Sequence, residues 1–453
     1  MRKTVVINAV GLTARLIGEH TPALKAFLAR GKLATIEPSL PAVTCTVQST
    51  YLTGKTPAEH GIVGNGWFFR DTQEIRFWHQ SNHLVQGPKV WDVAKQRDPN
   101  FTCANICWWY AMYSGADYVV TPRPMYPSDG RKIADVWTKP ADLRTSLQQK
   151  LGQFPLFKFW GPATGIEATH WIAEAAMEVD RQFDPALSLI YLPHLDYVLQ
   201  RGTDPAEDLR ELDEVIAGLL KHFQEANVII LSEYGISAVS RPVHINRILR
   251  EMGLIAVREE LGRELLDAGA SRAFAVADHQ VAHVYVNDPA VAPLVARELK
   301  KTEGIAQVFE GEARKMIHLD HPRAGDIIAL AERDSWFTYY YWMDDARAPD
   351  FARTVEIHKK PGYDPVELFL DPAIRFPKAK IASVLARRKI LGQRPLMEVI
   401  PLDATLVKGS HGLAPSARSE GPVFITSASK LLDRDHVEAT DVMGLILRHL
   451  GLE

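Results

Sequence analysis

Three short runs of the chain are mostly apolar and lack polar alternation: Val5–Val10, Leu187–Leu192 and Val228–Leu231. A strand with one solvent face alternates between apolar and polar positions, so runs of this length without that alternation read as strands covered on both faces. Helical patterns lie between them, at Pro22–Arg30, His170–Arg181 and Asp204–Gln224. Thr21 stands at the N-cap position of the first of these helices and Gly31 at its stop. Strands alternating with helices predict an α/β fold, a mostly parallel sheet sandwiched by helices. Further along, Ala282–Val286, Val291–Lys301 and Ala306–Phe309 read as strand, helix and strand, a small cap-like α+β subdomain within about 241–400. The stretch 122–165 is broken by Pro122, Pro124, Pro127, Pro140, Pro155 and Pro162 among aromatic residues, and reads as an irregular insertion in the position of a lid. The reading is of one domain over 1–453 with these two insertions.

Composition narrows the picture. The 453 residues are 46% hydrophobic, enough to bury a large core. A net charge of −3 excludes a nucleic-acid polymer as the main partner, which would demand a basic excess. No segment approaches the ~20 apolar residues of a membrane span. The first apolar run is too short for a signal peptide and no small-residue cleavage site follows it, so a cytoplasmic location is expected. Three cysteines suit a reducing compartment. Two of them, Cys103 and Cys107, are spaced for a shared helix face. Their neighbours Phe101, Ile106, Trp108 and Trp109 make them packing residues in preference to a metal pair.

In open parallel sheets, ligands bind beyond the carboxyl ends of the strands. The first run is followed there by Val10-Gly11, the second by Pro193-His194-Leu195-Asp196, and the third by Ser232-Glu233-Tyr234-Gly235. Two of the three offer a carboxylate, although acidic residues in such loops also cap helices. The richest segment is Pro38–Trp67, which holds in order Thr44, Thr53-Gly54, Pro57, His60-Gly61-Ile62 and Asn65. A threonine hydroxyl is a poor nucleophile at neutral pH unless a metal ion or a base activates it. A helix beginning beside it would turn free N–H groups toward phosphate oxygens, and an asparagine amide can donate to charge that builds in a transition state. The competing structural reading makes Thr44 or Thr46 an ordinary helix N-cap.

This ordered segment resembles the type I phosphodiesterase/nucleotide pyrophosphatases of the alkaline phosphatase superfamily, with phosphonoacetate hydrolase as a relative. The resemblance implies an alkaline-phosphatase-like sheet, two divalent metals, Thr44 as nucleophile, Asn65 as a donor to the transferred group, and His60 as a turn residue. Carried over residue by residue, the metal set is uneven. Asp196, Glu233 and His411 match, the last within Gly409-Ser410-His411-Gly412. Val10, Gln200 and Tyr234 stand where the pattern has Asp, His and His, which leaves Gln200 and Tyr234 as weak ligands. Asn8, two residues before Val10 on the same strand face, offers only a neutral oxygen. Asp278, His279, His283 and His194 are possible substitute ligands, and Lys359 and Lys360 possible contacts to substrate. So few anions predict at most one tightly bound ion, Zn²⁺, or Mg²⁺ or Mn²⁺ on the oxygen-rich remnant. The pattern also resembles a divergent branch of nucleotide pyrophosphatase-like proteins found with ebo-type gene clusters, which implies a prenylated or sugar-linked phosphate as a candidate substrate. The expected function is hydrolysis of phosphodiester, pyrophosphate or phosphonate bonds in a small phosphorylated molecule. The alternatives are a degenerate protein that binds such a molecule without cleaving it, and a phosphoryl mutase or transferase. Trp67, Trp78, Trp108, Trp109 and Trp160 are either a binding wall or core.

Overall fold

The three apolar runs lie side by side at the centre of a nine-stranded sheet in the computed structural model, which describes all 453 residues. In chain order the strands are β1 (Thr4–Ala9), β2 (Lys32–Glu37), β3 (Cys103–Ile106), β4 (Tyr118–Pro122), β5 (Val136–Lys139), β6 (Leu187–Leu192), β7 (Asn227–Leu231), β8 (Val423–Thr426) and β9 (His436–Glu438). Across the sheet the order is β9-β2-β8-β7-β1-β6-β3-β4-β5. From β7 to β4 the strands are parallel, and Val6 of β1 stands between Leu189 and Ile229. β8 runs antiparallel to both β2 and β7, and β5 antiparallel to β4. Every residue of β1 and β6 is buried, which is why neither alternates in sequence.

Five helices shape the site and its supports: α1 (Pro22–Arg30), α2 (Thr44–Thr53), α3 (Ile166–Phe183), α4 (His194–Arg201) and α5 (Ala206–His222). α3 and α5 turn an apolar stripe, including Ile172, Val179, Leu212 and Ile216, into the core around the sheet. α2 differs, because all ten of its residues are buried although most are polar or small. A polar helix is buried at that density only where its side chains have partners. α1 has the predicted bounds, but Thr21 does not cap it. The Thr21 hydroxyl accepts from Gly18 N and donates to Leu16 O, and the free amides of Ala23 and Leu24 donate to the Asp213 carboxylate on α5. Cys103 and Cys107 do not share a helix. Cys103 begins β3 and Cys107 follows its end, and both are free, buried thiols.

The strand-helix-strand pattern is found at Val281–Val286, Ala292–Leu299 and Ile305–Glu310, inside a four-stranded antiparallel sheet with its own apolar cluster. Ile327–Ala331 sits between the two predicted strands, and Ala273–Asp278 is the other edge. Residues 122–165 are more regular than their prolines suggest: they supply β5 and a helix, Leu143–Leu151. No helix is long and apolar enough to cross a membrane.

Candidate active site

Thr44 is the first residue of α2, 5% exposed, with Val43 in the N-cap position. Its side chain caps nothing. Instead Oγ1 lies 3.0 Å from the Tyr234 hydroxyl, and Tyr234 donates its proton to Asp196 Oδ1 at 3.1 Å. Tyrosine has a single hydroxyl proton. With that proton on Asp196, Thr44 is the donor of the first bond, and the three groups form a chain running from Thr44 through Tyr234 to Asp196. The other Asp196 oxygen accepts from Gln200 Nε2 at 2.8 Å, and Gln200 Oε1 accepts from the Tyr363 hydroxyl at 3.1 Å.

His411 closes the site from the far end of the chain. Its Nδ1–H donates to Ala42 O at 2.7 Å, because a carbonyl can only accept, and this leaves Nε2 with its lone pair 3.6 Å from Asp196 Oδ1. The ring lies flat on Tyr234, 3.6 Å between centroids, and against His279, which stacks in turn on Tyr363. Asn65 is held by three bonds: its Oδ1 accepts from Cys45 N, while its own backbone N–H and Nδ2 donate to the two oxygens of Asp278. Glu233 Oε1 accepts from Asn8 Nδ2 and from Gln48 Nε2, both at 2.6 Å, and Oε2 is buried without a partner. Gln48 also accepts from Trp109 N. It stands one helical turn after Thr44 on α2, a spacing that puts both on one face.

Burial dominates the electrostatics. It pushes the carboxyl of Asp196 up to about 7, that of Asp278 up to about 7 and that of Glu233 up to about 8, against the hydrogen bonds that favour their charged forms. Burial also pushes His411 down to about 3, so the imidazole is neutral, and raises the Tyr234 hydroxyl well above its usual range. The floor of the site therefore carries less negative charge near neutrality than its three carboxyl groups would otherwise give it.

These groups open into a cavity of about 600 Å³. Thr44, Asn65, Asp196, Tyr234, His279 and His411 lie at its base, and Trp78, Trp109, Trp160, Tyr126, Phe157 and Leu385 line its walls. The profile of the type I phosphodiesterase/nucleotide pyrophosphatase family matches residues 4–364. The chain belongs to that family. Among solved structures, a murine ectonucleotide pyrophosphatase/phosphodiesterase 5, an inactive form in complex with AMP, is 12% identical with a TM-score of 0.61, covering 100% of this chain and 96% of that one. Phosphonoacetate hydrolase from Sinorhizobium meliloti 1021, in complex with phosphonoformate, is 14% identical with a TM-score of 0.60, covering 99% and 96%. The human ectonucleotide pyrophosphatase/phosphodiesterase 5 gives 13% and 0.59, covering 100% and 96%. At these identities the likeness is one of fold. No curated protein matches by sequence.

In this type I phosphodiesterase-family chain, the residues present do not fit a centre of two metal ions. Val10 offers no ligand atom. The Tyr234 hydroxyl bonds both Thr44 Oγ1 and Asp196 Oδ1, so two oxygens that would hold an ion are already engaged. Gln200 is engaged on both sides, and Asn8 turns its NH₂ toward Glu233. The proposed substitutes do not repair the set. Asp278 spends both oxygens on Asn65. His283 bonds Val63 O and accepts from Gly325 N, away from the cavity. His194 points behind α4, at Asp208 and Glu211. Of the four, only His279 reaches the cavity base. Lys360 is not a substrate contact, since it is buried in ion pairs with Asp364 and Glu367; Lys359 is exposed and lines the cavity. His60 is satisfied locally by Thr50 and Ile62. Trp67 and Trp108 are core, whereas Trp78, Trp109 and Trp160 face the cavity. Gln48 and Tyr363 escaped the sequence reading. The i, i+4 spacing from Thr44 could have found Gln48, but nothing local marks Tyr363.

Proposed function

We propose that the chain moves a phosphoryl group from a small phosphorylated molecule to Thr44 and then to water, as a hydrolase of phosphodiester, pyrophosphate or phosphonate bonds. The observation that carries this reading is the hydrogen-bonded chain Thr44–Tyr234–Asp196 at the base of the cavity. As Thr44 Oγ1 bonds to phosphorus, its proton passes to Tyr234, and Tyr234 passes its own to the Asp196 carboxylate. The bond from phosphorus to the leaving group breaks, and the leaving atom is protonated by water. In the second half, water attacks phosphorus and gives up one proton to the hydroxide left in solvent by the first half, the bond to Oγ1 breaks, and Asp196 returns its proton through Tyr234 to Oγ1. Asn65, fixed by Asp278 and Cys45 N, flanks the transferred group, as does the N-terminus of α2. The aromatic walls suit a substrate with an apolar or planar group beside its phosphate.

The incomplete metal set favours a second reading, a protein that binds the phosphorylated molecule without turning it over. A screen of an aryl phosphodiester, a nucleoside triphosphate and phosphonoacetate, followed by mass spectrometry of the quenched protein, separates the two. Hydrolysis with a phosphate on Thr44, both lost in Thr44→Ala, is the expected outcome. Binding of these molecules with no product and no phosphothreonine would establish the second reading.

A further inference from the structure

The His194 ring is 2% exposed, and neither of its nitrogens makes a hydrogen bond. A buried imidazole whose nitrogens make no well-aimed hydrogen bond has lost its hydration without the usual compensation. It is nevertheless aimed at two carboxylates. Nε2 lies 2.9 Å from Asp208 Oδ1 and 3.6 Å from Glu211 Oε2, and the three ligand atoms all fall within 4.8 Å of one another. Nowhere else in the chain do three such groups converge. At 2.9 Å a well-aimed N–H would count as a hydrogen bond, so the oxygen lies off the axis of the ring nitrogen. Ligands around a metal have this relation, because each lone pair points at a common centre and not at its neighbour. With ligand bonds of about 2.0–2.2 Å, adjacent ligand atoms sit about 3 Å apart.

The charge around the group agrees. Neither Asp208 nor Glu211 pairs with a lysine or arginine, although both are partly open to solvent. Glu167, at the start of α3, adds negative potential, moderated by its own pair with Lys158. Arg201 opposes it from further along α4, with its guanidinium tied to Leu368 O and Gly161 O.

We propose that His194, Asp208 and Glu211 bind one divalent first-row cation, Zn²⁺ or Mn²⁺, in a site separate from the catalytic cavity. One imidazole with two carboxylates suits these ions better than Ca²⁺, which takes oxygen ligands alone. Water would complete the coordination on the open side. His194 begins α4, and Asp196 lies two residues later on the same helix. The ion pins the start of α4 to the start of α5 and so holds Asp196 against Tyr234. Its role is to position the helix and not to contact substrate.

The test is calorimetric titration of the chelator-treated full-length chain with ZnCl₂ and with MnCl₂, on wild type, Glu211→Gln and Asp208→Asn/Glu211→Gln. Glu211 is exposed enough for its replacement to leave folding intact, which thermal melting checks. Wild type should take up one ion, Glu211→Gln should bind at least tenfold more weakly, and the double variant should not bind. The ion should raise the melting temperature of wild type and leave that of the double variant unmoved. Thr44→Ala should bind like wild type, which separates this site from the proposed chemistry. No uptake of either ion at millimolar concentration, or unchanged uptake by the double variant, would overturn the proposal.

Discussion

Tyr234 shows how much one side chain can alter a site. Where the family pattern has an imidazole, this chain has a phenol, and its hydroxyl bonds Thr44 on one side and Asp196 on the other. Tyr234→Phe keeps the ring on His411 and removes only that link. We expect kcat to fall by about 10²–10⁴, with KM little changed, in steady-state assays on any substrate found. Asp196 can accept the proton only when ionised, and burial has raised its carboxyl to about 7. Activity should therefore rise with pH and level off above about 7. A pH profile should lose that limb in Asp196→Asn. Glu233 makes a separate prediction about stability. Its pKa is raised by burial to about 8 in the folded chain, so its contribution is fully present below the unfolded value and is lost as pH rises through about 8. The melting temperature of Glu233→Gln, measured relative to wild type, should rise between about pH 4.5 and 8. A flat difference would show that Glu233 is not held in its neutral form.

At the level of elements, the site depends on a bond between the four-stranded sheet and a loop that follows α2. Asp278 ends a strand of the four-stranded sheet, yet both its oxygens serve Asn65, which belongs to the loop after α2. Asp278→Ala should cost about 1–3 kcal/mol in denaturant unfolding, because Asn65 is left with buried, unpaired donors. It should also reduce turnover by freeing the Asn65 amide. These elements are unequally legible in the sequence. β1, β6 and β7 announce themselves because strands buried on both faces need no polar positions, and α1 because proline and glycine bracket it. The Cys103–Cys107 segment misleads because a four-residue spacing within a short, largely apolar stretch carries no period that separates strand from helix. Thr44, Asp196 and His411 are marked by the motif, and Val10 and Tyr234 stand out as departures from it. What Tyr234 does instead is not readable, since it rests on hydrogen bonds to residues 190 and 38 positions away. The same kind of distance hides the engagement of Gln200 by Tyr363.

Across the whole molecule, the cavity is walled by side chains from 122–163 and from 354–399, Phe157 among the first and Leu385 among the second. Both are more than half exposed, at 61% and 52%, so truncating them should not disturb folding. Phe157→Ala/Leu385→Ala should raise KM several-fold for phosphate esters that carry a large apolar group and leave that for small esters unchanged. Equal effects on both would place substrate binding elsewhere. The closure of the site by His411 has a consequence for how the protein is made. Its bond to Ala42 O spans 369 residues, and Thr44 leaves the ribosome long before the His411 ring exists. At about 5–20 residues per second, roughly 20–70 s separate the synthesis of the two. Throughout that interval the nascent chain carries the threonine without the imidazole that lies against Tyr234. The proposed site is thus assembled only after nearly the whole chain has been translated, and a message truncated before residue 411 yields a protein without the imidazole that lies against Tyr234.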